Sequence, residues 1–383
     1  MACKNGYKHY GWQPDMKKPK NGPSAPAAPQ KRPTQRDIAQ ATGLSQTSVS
    51  LVLNGVEPST VSAEARERIQ EAARRLGYVP NRMARNLQSA RTRTLACIVP
   101  DITNPTYPAL IRGFQSAADA AGYDTMIFDT DGTPEREQRA LQWLSQGHVD
   151  GVMAVFFHVQ ETELLKATRG RLAVVQIESQ AHKPSRTIDK LYINNAAAAQ
   201  AMTQTLIDKG HRHIALLSAP LGPGAQRQRG FRAAMRQAGL TARTIAADDF
   251  TQAAGARAMV AELAGGDFRC SAVFAANDLL AIGAMSALRA AGRRIPEDVA
   301  VAGFDDIPAA QLLQPPLTTV RRSELSIGRM AAELLIGRLN GAEAAEGGRS
   351  VELPFELVLR DSARGRGGVN REEISADRPP SGP

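Results

Sequence analysis

Polar side chains recur just after short apolar runs along most of the chain. Asp101, Thr103 and Asn104 follow one such run, with Tyr107 next, and Asp129, Thr130 and Asp131 follow another. Asn277 and Asp278 follow AVFAA, and Asp305 and Asp306 follow VAVAGF. Carboxylates, amides and hydroxyls at such positions are equipment for holding a small polar ligand, because open α/β sheets bind ligands beyond the carboxyl ends of their strands. Asp305 can accept from hydroxyls or an amine, and Tyr107 offers a face for a flat or sugar-like ring. A second polar set lies near the front, where Gln46, Thr47 and Ser50 lead a short helical pattern within TQRDIAQATGLSQTSVSLVLNG. Glutamine can bridge adenine through its amide, and Ser or Thr can hydrogen-bond to base edges or pack against a methyl group.

Each residue also has a plainer reading. Asp278 reads first as a helix N-cap, as does Asp306 at its own loop. Asn277 reads alternatively as a turn residue, and Arg227 as a surface residue beside Arg229 and Arg232.

The elements that must position these residues are legible in outline. Thr34 caps a first helix to about Ala41, Gly43 makes the turn, and Ser45 caps a second helix from Gln46 to Leu53. Ser62 caps a third, with Ala65, Ile69, Ala72 and Leu76 on one face and Gly77 as its stop. Ile38, Val49, Val52 and Leu53 complete a small core. Two helices joined by a tight turn, the second led by small polar residues, have the shape of a module that lies in a DNA groove. From Thr94 the pattern changes to alternating strands and helices. Strands are expected at 95–99, 125–128, 151–156, 173–177, 214–217, 272–275 and 299–304, with helices near 107–121, 135–146, 195–209, 225–238, 252–264 and 279–291. This is a parallel α/β pattern long enough for two sheets. Residues 81–89, NRMARNLQS, read as a short helix too small to stand alone in water. It either folds on DNA and wedges Leu87 between base steps, or serves as a basic linker with Leu87 packed on the following domain.

Charge is unevenly placed. The net charge is +9 over 383 residues, and residues 1–93 hold sixteen Lys or Arg against six Asp or Glu. The excess sits where a phosphate backbone would use it. Residues 1–33 and 361–383 are polar, rich in Gly or Pro, and read as disordered tails. The three cysteines, Cys3, Cys97 and Cys270, form no disulfide framework, and Cys97 and Cys270 lie in apolar runs. Neither a signal-peptide core nor an 18-residue apolar stretch occurs, so a cytoplasmic protein without membrane partners is expected. Catalysis is not expected. His211 and His213 lack a third metal ligand. No dinucleotide or NTP glycine loop is present, and no nucleophilic serine motif comes with its acid and base. No cofactor or metal is expected.

These motifs, in order, resemble the LacI/GalR family of bacterial transcription regulators over about residues 34–360. The resemblance rests on DIAQATGLSQTSVSLVLNG, VSAEARERIQEAARRLGYVPN, Ala84 to Leu87, IVPDITNPTYPAL, TDGTPERE, FAANDLLAIGAMSAL, VAVAGFDDIPAA and PPLTTV. It implies an all-α helix-turn-helix headpiece over 34–80 and a hinge helix and linker over 81–93. The α/β sensor over 94–360 would then be built of two periplasmic-binding-protein-like subdomains. One subdomain spans about 94–191 and 322–351, the other about 192–321 and 352–360. It implies a homodimer on a near-palindromic operator in double-stranded DNA, switched by a small-molecule effector, most often a sugar or sugar derivative. The DNA-binding set is then Thr34, Ser45, Gln46, Thr47, Ser50, Leu51 and Asn54, with Asn81, Arg82, Ala84 and Leu87 in the hinge. The effector set is Asn104, Tyr107, Asp131, Arg227, Asn277 and Asp305, where Arg227, ahead of Gly230 and Phe231, would offer a planar fork to a carboxylate, a phosphate or sugar hydroxyls.

Two departures stand out. Many members carry a long basic residue where this chain has Leu51, which can touch a thymine methyl but cannot donate to guanine; alternatively, Leu51 closes the edge of the core. Asn194 stands where many members have Asp. The competing readings are a transport-type binding protein, which would lack the basic headpiece, and an architectural DNA-binding protein, which would need no cleft.

Overall fold

The computed structural model describes residues 33–54, 60–79, 91–170, 172–178, 180, 185, 187–341 and 347–365. The chain divides into two compact units, Met1–Arg85 and Asn86–Pro383. The disordered-tail reading of 1–32 and 366–383 lies outside the described residues, as does the hinge reading of 81–89 with Asn81, Arg82, Ala84 and Leu87.

The first unit is built on α1 (Gln35–Thr42), α2 (Gln46–Leu53) and α3 (Ala63–Leu76). Gly43 and Gly77 follow α1 and α3 at φ +68° and +65°, a left-handed conformation that glycine adopts without strain. Ile38, Val49 and Ile69 are fully buried, with Val52, Ala72 and Ala73 around them. Leu53 and Leu76 pack on this cluster from its edge. An Arg68 Nη2 donates to the Thr42 carbonyl at 2.6 Å, tying α3 to the end of α1.

The second unit contains two parallel sheets. The first is ordered β11-β5-β4-β3-β1-β2, where β1 is Thr94–Val99, β2 Asp124–Asp129, β3 Gly151–Ala154, β4 Ala173–Glu178, β5 Ile188–Ile193 and β11 Ser350–Leu353. The second is ordered β7-β6-β8-β9, from β6 Ile214–Ser218, β7 Arg243–Ala246, β8 Ala272–Ala275 and β9 Ala300–Ala302. A short antiparallel pair joins β10 (Thr319–Arg321) to β12 (Glu356–Val358). Period-two alternation splits each central strand between two cores. Leu95, Cys97 and Val99 of β1 face one cluster while Ala96 and Ile98 face another. Likewise Val273 and Ala275 of β8 oppose Ala272 and Phe274. Both faces are covered, as parallel sheets require.

The covering helices are α4 (Thr106–Ala120), α5 (Pro134–Leu144), α6 (Glu161–Thr168) and α11 (Glu324–Leu339) around the first sheet. Around the second lie α7 (Asn195–Asp208), α8 (Gly224–Gln237), α9 (Gln252–Ala264) and α10 (Asp278–Ala290). The chain therefore leaves the first sheet after Ile193, returns after Arg321 and leaves again after Leu353.

Three features depart from the sequence reading. Strand β5 was not expected because Asp189 and Lys190 interrupt its apolar run, yet both are buried. Asp189 accepts from Arg338 Nη2 at 2.8 Å and from the Arg349 amide at 2.7 Å, and Lys190 pairs with Glu161. Helices α6 and α11 and strands β7, β10, β11 and β12 were also not expected. The disordered reading does not hold for residues 361–365. Asp361–Ala363 form a 3-10 turn in which Ser362 and Ala363 are fully buried. Ser362 Oγ donates to the Val301 carbonyl at 2.6 Å and accepts from the Thr318 amide at 2.8 Å, which fastens this segment to the second sheet.

Candidate binding cleft and helix-turn-helix face

Arg227 lies in the first turn of α8 and is 2% exposed, so the surface reading does not hold. A buried guanidinium needs a partner for each face and edge. Its Nε donates to Asn195 Oδ1 at 2.9 Å, its Nη1 donates to the Ala276 carbonyl, and its Nη2 lies 3.5 Å from Asp305 Oδ1. Its carbon sits 3.6 Å from the centroid of the Phe304 ring, a cation–π contact. Burial pulls its pKa down to about 10, with Asp305 resisting, so it stays charged at neutral pH.

Asp305 follows β9 with φ +115°, a backbone conformation that L side chains rarely adopt. Strain of this kind, of order 1–3 kcal/mol, persists where surrounding structure over-determines it and clusters at ligand sites. Here the Asp305 amide donates to the Val320 carbonyl at 2.8 Å, and its carboxylate meets Arg227 and also Arg322 at 3.3 Å. Arg322 in turn lies 2.6 Å from Glu324 Oε1. Burial holds the Glu324 carboxyl above its usual range, partly offset by Arg322. Burial also works against the Arg322 charge, but Glu324 and Asp305 outweigh it and raise that pKa. Arg227 and Asp305 belong to the second sheet's layer, whereas Glu324 opens α11 on the first. The charged network thus spans the point where the chain crosses between sheets.

A cavity of about 480 Å³ opens beside this network, within the usual range of about 300–1,000 Å³ for small-molecule pockets. All six effector residues expected from the sequence line it: Asn104, Tyr107, Asp131, Arg227, Asn277 and Asp305. Their availability differs. Asn104 Oδ1 already accepts from the Thr106 amide at 3.1 Å. Asp131 is exposed, at φ +51°, with its amide on Asp129 Oδ1 at 2.7 Å. Tyr107 is half-buried, and burial pushes its phenol pKa up, keeping the hydroxyl protonated. Asn277 is the N-cap of α10, accepting from the Leu280 amide at 2.9 Å while its Nδ2 donates to the Phe250 carbonyl at 3.0 Å. It shapes the wall and positions Phe250.

The expected cap, Asp278, is corrected accordingly. It is fully buried, its Oδ2 accepting from the Ile307 amide at 2.9 Å and its Oδ1 bonded to Thr319 Oγ1 at 2.6 Å. Burial, with Asp305 nearby, holds its carboxyl well above the usual carboxylate range. The folded state therefore binds a proton that the unfolded chain releases above about pH 3.9. The stability contributed by this group is full below that pH and is lost as pH rises through the folded value. Asp278→Asn has the shape and bonding capacity of the protonated acid. It is expected to flatten that decline in melting temperature while keeping the fold; an unchanged pH profile in the variant would refute this.

Several lining residues were not anticipated. Arg322 and Glu324 follow a three-residue strand that gave no apolar run. Asn195, rather than Asn194, reaches the cavity, because Asn194 is the N-cap of α7 and accepts from the Ala197 amide at 3.0 Å. Gln176 lies on β4. Phe157 packs so closely on Gly222 that a Cβ there would sit 2.6 Å from its ring, which brings the aromatic wall against bare backbone.

On the first unit, Gln46 and Thr47 are exposed at the start of α2. Ser45 Oγ accepts from the Ser48 amide at 3.0 Å, and the Thr34 amide and hydroxyl both donate to Asp37 Oδ2 at 2.7 and 2.8 Å. Thr34 and Ser45 are thus caps first. Asn54 Nδ2 donates to Ser50 Oγ at 3.1 Å, pairing two of the expected contact residues along one helix face. Leu51 is half-buried but is not part of the headpiece core, which runs through Val49 and Val52. Ser45→Ala should lower headpiece stability by about 1 kcal/mol, whereas Gln46→Ala should leave melting unchanged and act only on DNA affinity. Thermal unfolding of both variants separates the two roles.

Among the described residues, no group of three or more His, Cys, Asp or Glu side chains is placed to hold a metal ion. No described helix is long and apolar enough to cross a membrane.

Residues 34–81 match the family described as bacterial regulatory proteins, lacI family, and residues 203–363 match the periplasmic binding protein-like domain. The HTH-type transcriptional regulator CelR of Thermobifida fusca is 34% identical over 341 residues, covering 87% of this chain and 98% of that protein. The ribose operon repressor of Escherichia coli strain K12 is 33% identical over 313 residues, covering 80% and 93%. Among solved structures, a CelR–cellobiose complex superposes with a TM-score of 0.63 at 32% identity, covering 86% of this chain and all of that one.

Proposed function

The chain belongs to the lacI family of bacterial regulatory proteins, and from that premise we propose that it is a transcriptional repressor switched by a saccharide in the cleft. The observation that carries the effector half is a convergence of buried polar atoms. Thr106, Gln176 and Arg322 come from separate stretches of chain, all line the cavity, and each has a buried side-chain atom with no hydrogen-bond partner among the described residues, beside the ion-paired carboxylates of Asp305 and Glu324. An unpaired buried polar atom is costly, about 1–3 kcal/mol. A polyhydroxylated ligand would satisfy several at once, with Tyr107, Phe157 and Phe250 supplying apolar walls. A CelR solved as a complex with cellobiose and a relative named as the ribose operon repressor support the same class.

The DNA-reading half rests on α2, whose exposed Gln46 and Thr47 lead the helix as groove-entering residues do. We place Leu51 against a thymine methyl, because it is apolar and is not needed by the core. Two copies of the chain would meet two half-sites of a near-palindromic operator in the cytoplasm. Ligand would act through the crossing segment at Arg322 and Glu324, because the Arg322 pairing with Asp305 depends on how the two sheet layers stand. The coupling is reciprocal, so operator DNA must change saccharide affinity by the same factor.

Selection of random duplexes by the purified chain tests the reader. Enrichment of a palindrome that survives raised salt is expected, since binding held by phosphate contacts alone is lost there while base contacts keep the specific site ahead. Equal retention of scrambled duplex would instead indicate an architectural protein. On the selected site, Gln46→Ala is expected to weaken binding by about 1–3 kcal/mol and to relax preference at one base pair per half-site.

A further inference from the structure

The chain enters its second unit ahead of β1 through residues 91–93, and two side chains hold that entry. The Asp150 carboxylate, just before β3, is buried and accepts from the Thr92 amide at 2.7 Å, the Thr92 hydroxyl at 2.9 Å and the Arg93 amide at 2.9 Å. This fixes residues 92 and 93 to the first sheet. One residue earlier, Arg91 Nη2 donates to the carbonyl of Leu339, the last residue of α11. A helix leaves its final carbonyls without partners of its own and carries partial negative charge there, so a guanidinium satisfies an acceptor and complements the dipole. Arg338 pins the same last turn to the fully buried Asp189 of β5.

The other end of α11 is at the cleft. Glu324 opens the helix and pairs with Arg322, which also meets Asp305 from the second sheet's layer. The 16 residues between these ends span about 24 Å at the usual helical rise. Gly113 and Gly328 set α11 directly on the backbone of α4, with no side chain between them to absorb a displacement. Close-packed elements of this kind transmit strain instead of damping it.

We infer that α11 connects the cleft to the DNA-reading unit, and that Arg91 is the positioning residue that passes a shift of this helix to the chain leading back to the headpiece. This rests on the repressor reading above and gives its switch a route.

A double-mutant cycle on the selected palindromic duplex, read by fluorescence anisotropy of the full chain, tests it without any sugar. Glu324→Gln keeps the shape of the side chain but removes the charge that Arg322 balances. It should change operator affinity by about 2–30-fold, the span within which substitutions along a coupling route act. In an Arg91→Met background that change should vanish, whereas Arg91→Lys, which keeps a cation for the Leu339 carbonyl, should retain it. Both Arg91 variants should melt with the parent, so that loss of the effect is not loss of the fold. If Glu324→Gln acts in full on the Arg91→Met chain, the two ends are independent and the inference fails. If Arg91→Lys uncouples as completely as Arg91→Met, the bond to α11 is not the carrier and the inference fails. It fails also if Glu324→Gln leaves operator affinity unaltered. A parent chain that enriches no palindrome would overturn the repressor reading itself and take the inference with it.

Discussion

Arg227→Met is expected to lower the stability of the sensor unit by about 3–5 kcal/mol, the loss typical when one partner of a buried ion pair is removed. It should also abolish any effect of saccharide on operator binding. The methionine fills much of the same volume but leaves the Asp305 carboxylate facing Arg322 alone, and the Asn195 amide and Ala276 carbonyl without their donor. The headpiece is a separate unit with its own core, so operator binding should survive at a temperature where the sensor is still folded. Denaturant unfolding gives the first quantity, and operator titration with and without sugar gives the second. A variant of near-wild-type stability that still responds to sugar would show that the network is incidental to the switch.

The second large effect is expected where α4 and α11 cross. Gly113 and Gly328 face each other's helix backbone so closely that a Cβ on Gly113 would lie 2.0 Å from the Leu325 carbonyl oxygen, and one on Gly328 1.9 Å from that of Leu110. Neither obstacle is a side chain that can rotate away. Gly328→Ala should therefore cost more than the roughly 1–3 kcal/mol of ordinary overpacking. The consequence reaches the cleft, because α4 begins with Thr106 and Tyr107 and α11 begins with Glu324. Parting the helices separates these lining residues and should weaken saccharide binding together with stability. Ser116→Ala, on the exposed side of α4, is the matched control and should stay within about 0.5 kcal/mol of the parent. Equal melting of the two variants would mean that the helices slide apart at little cost.

Much of this arrangement was readable from the residues, for identifiable reasons. Central strands such as β1 and β8 are buried on both faces, so they appear as unbroken apolar runs, and the polar residues after them fall at their carboxyl ends by construction. That is why Asn104, Asp131, Asn277 and Asp305 arrive at one cavity. The headpiece was readable because each of its turns carries its own cap and glycine. What stayed hidden depended on tertiary pairing. Strand β5 contains Asp189 and Lys190, whose burial makes sense only with Arg338 and Glu161 brought from elsewhere in the chain. Arg322 and Glu324 lie beyond a strand of three residues at a crossing, where no period develops. The choice between Asn194 and Asn195, or between Asn277 and Asp278, turns on a single residue of helix phase, because the cap faces the helix while the next side chain points inward.

The central claim is that a sugar in the cleft and DNA on α2 are coupled. The most direct test is fluorescence anisotropy of the full chain on its selected palindromic duplex, titrated with a saccharide that the full chain binds. Operator affinity should change by about 5–150-fold between zero and saturating sugar, and the affinity for sugar should shift by the same factor when operator is present. Saturating sugar that leaves operator affinity unchanged would contradict the account, because the two sites would then be independent.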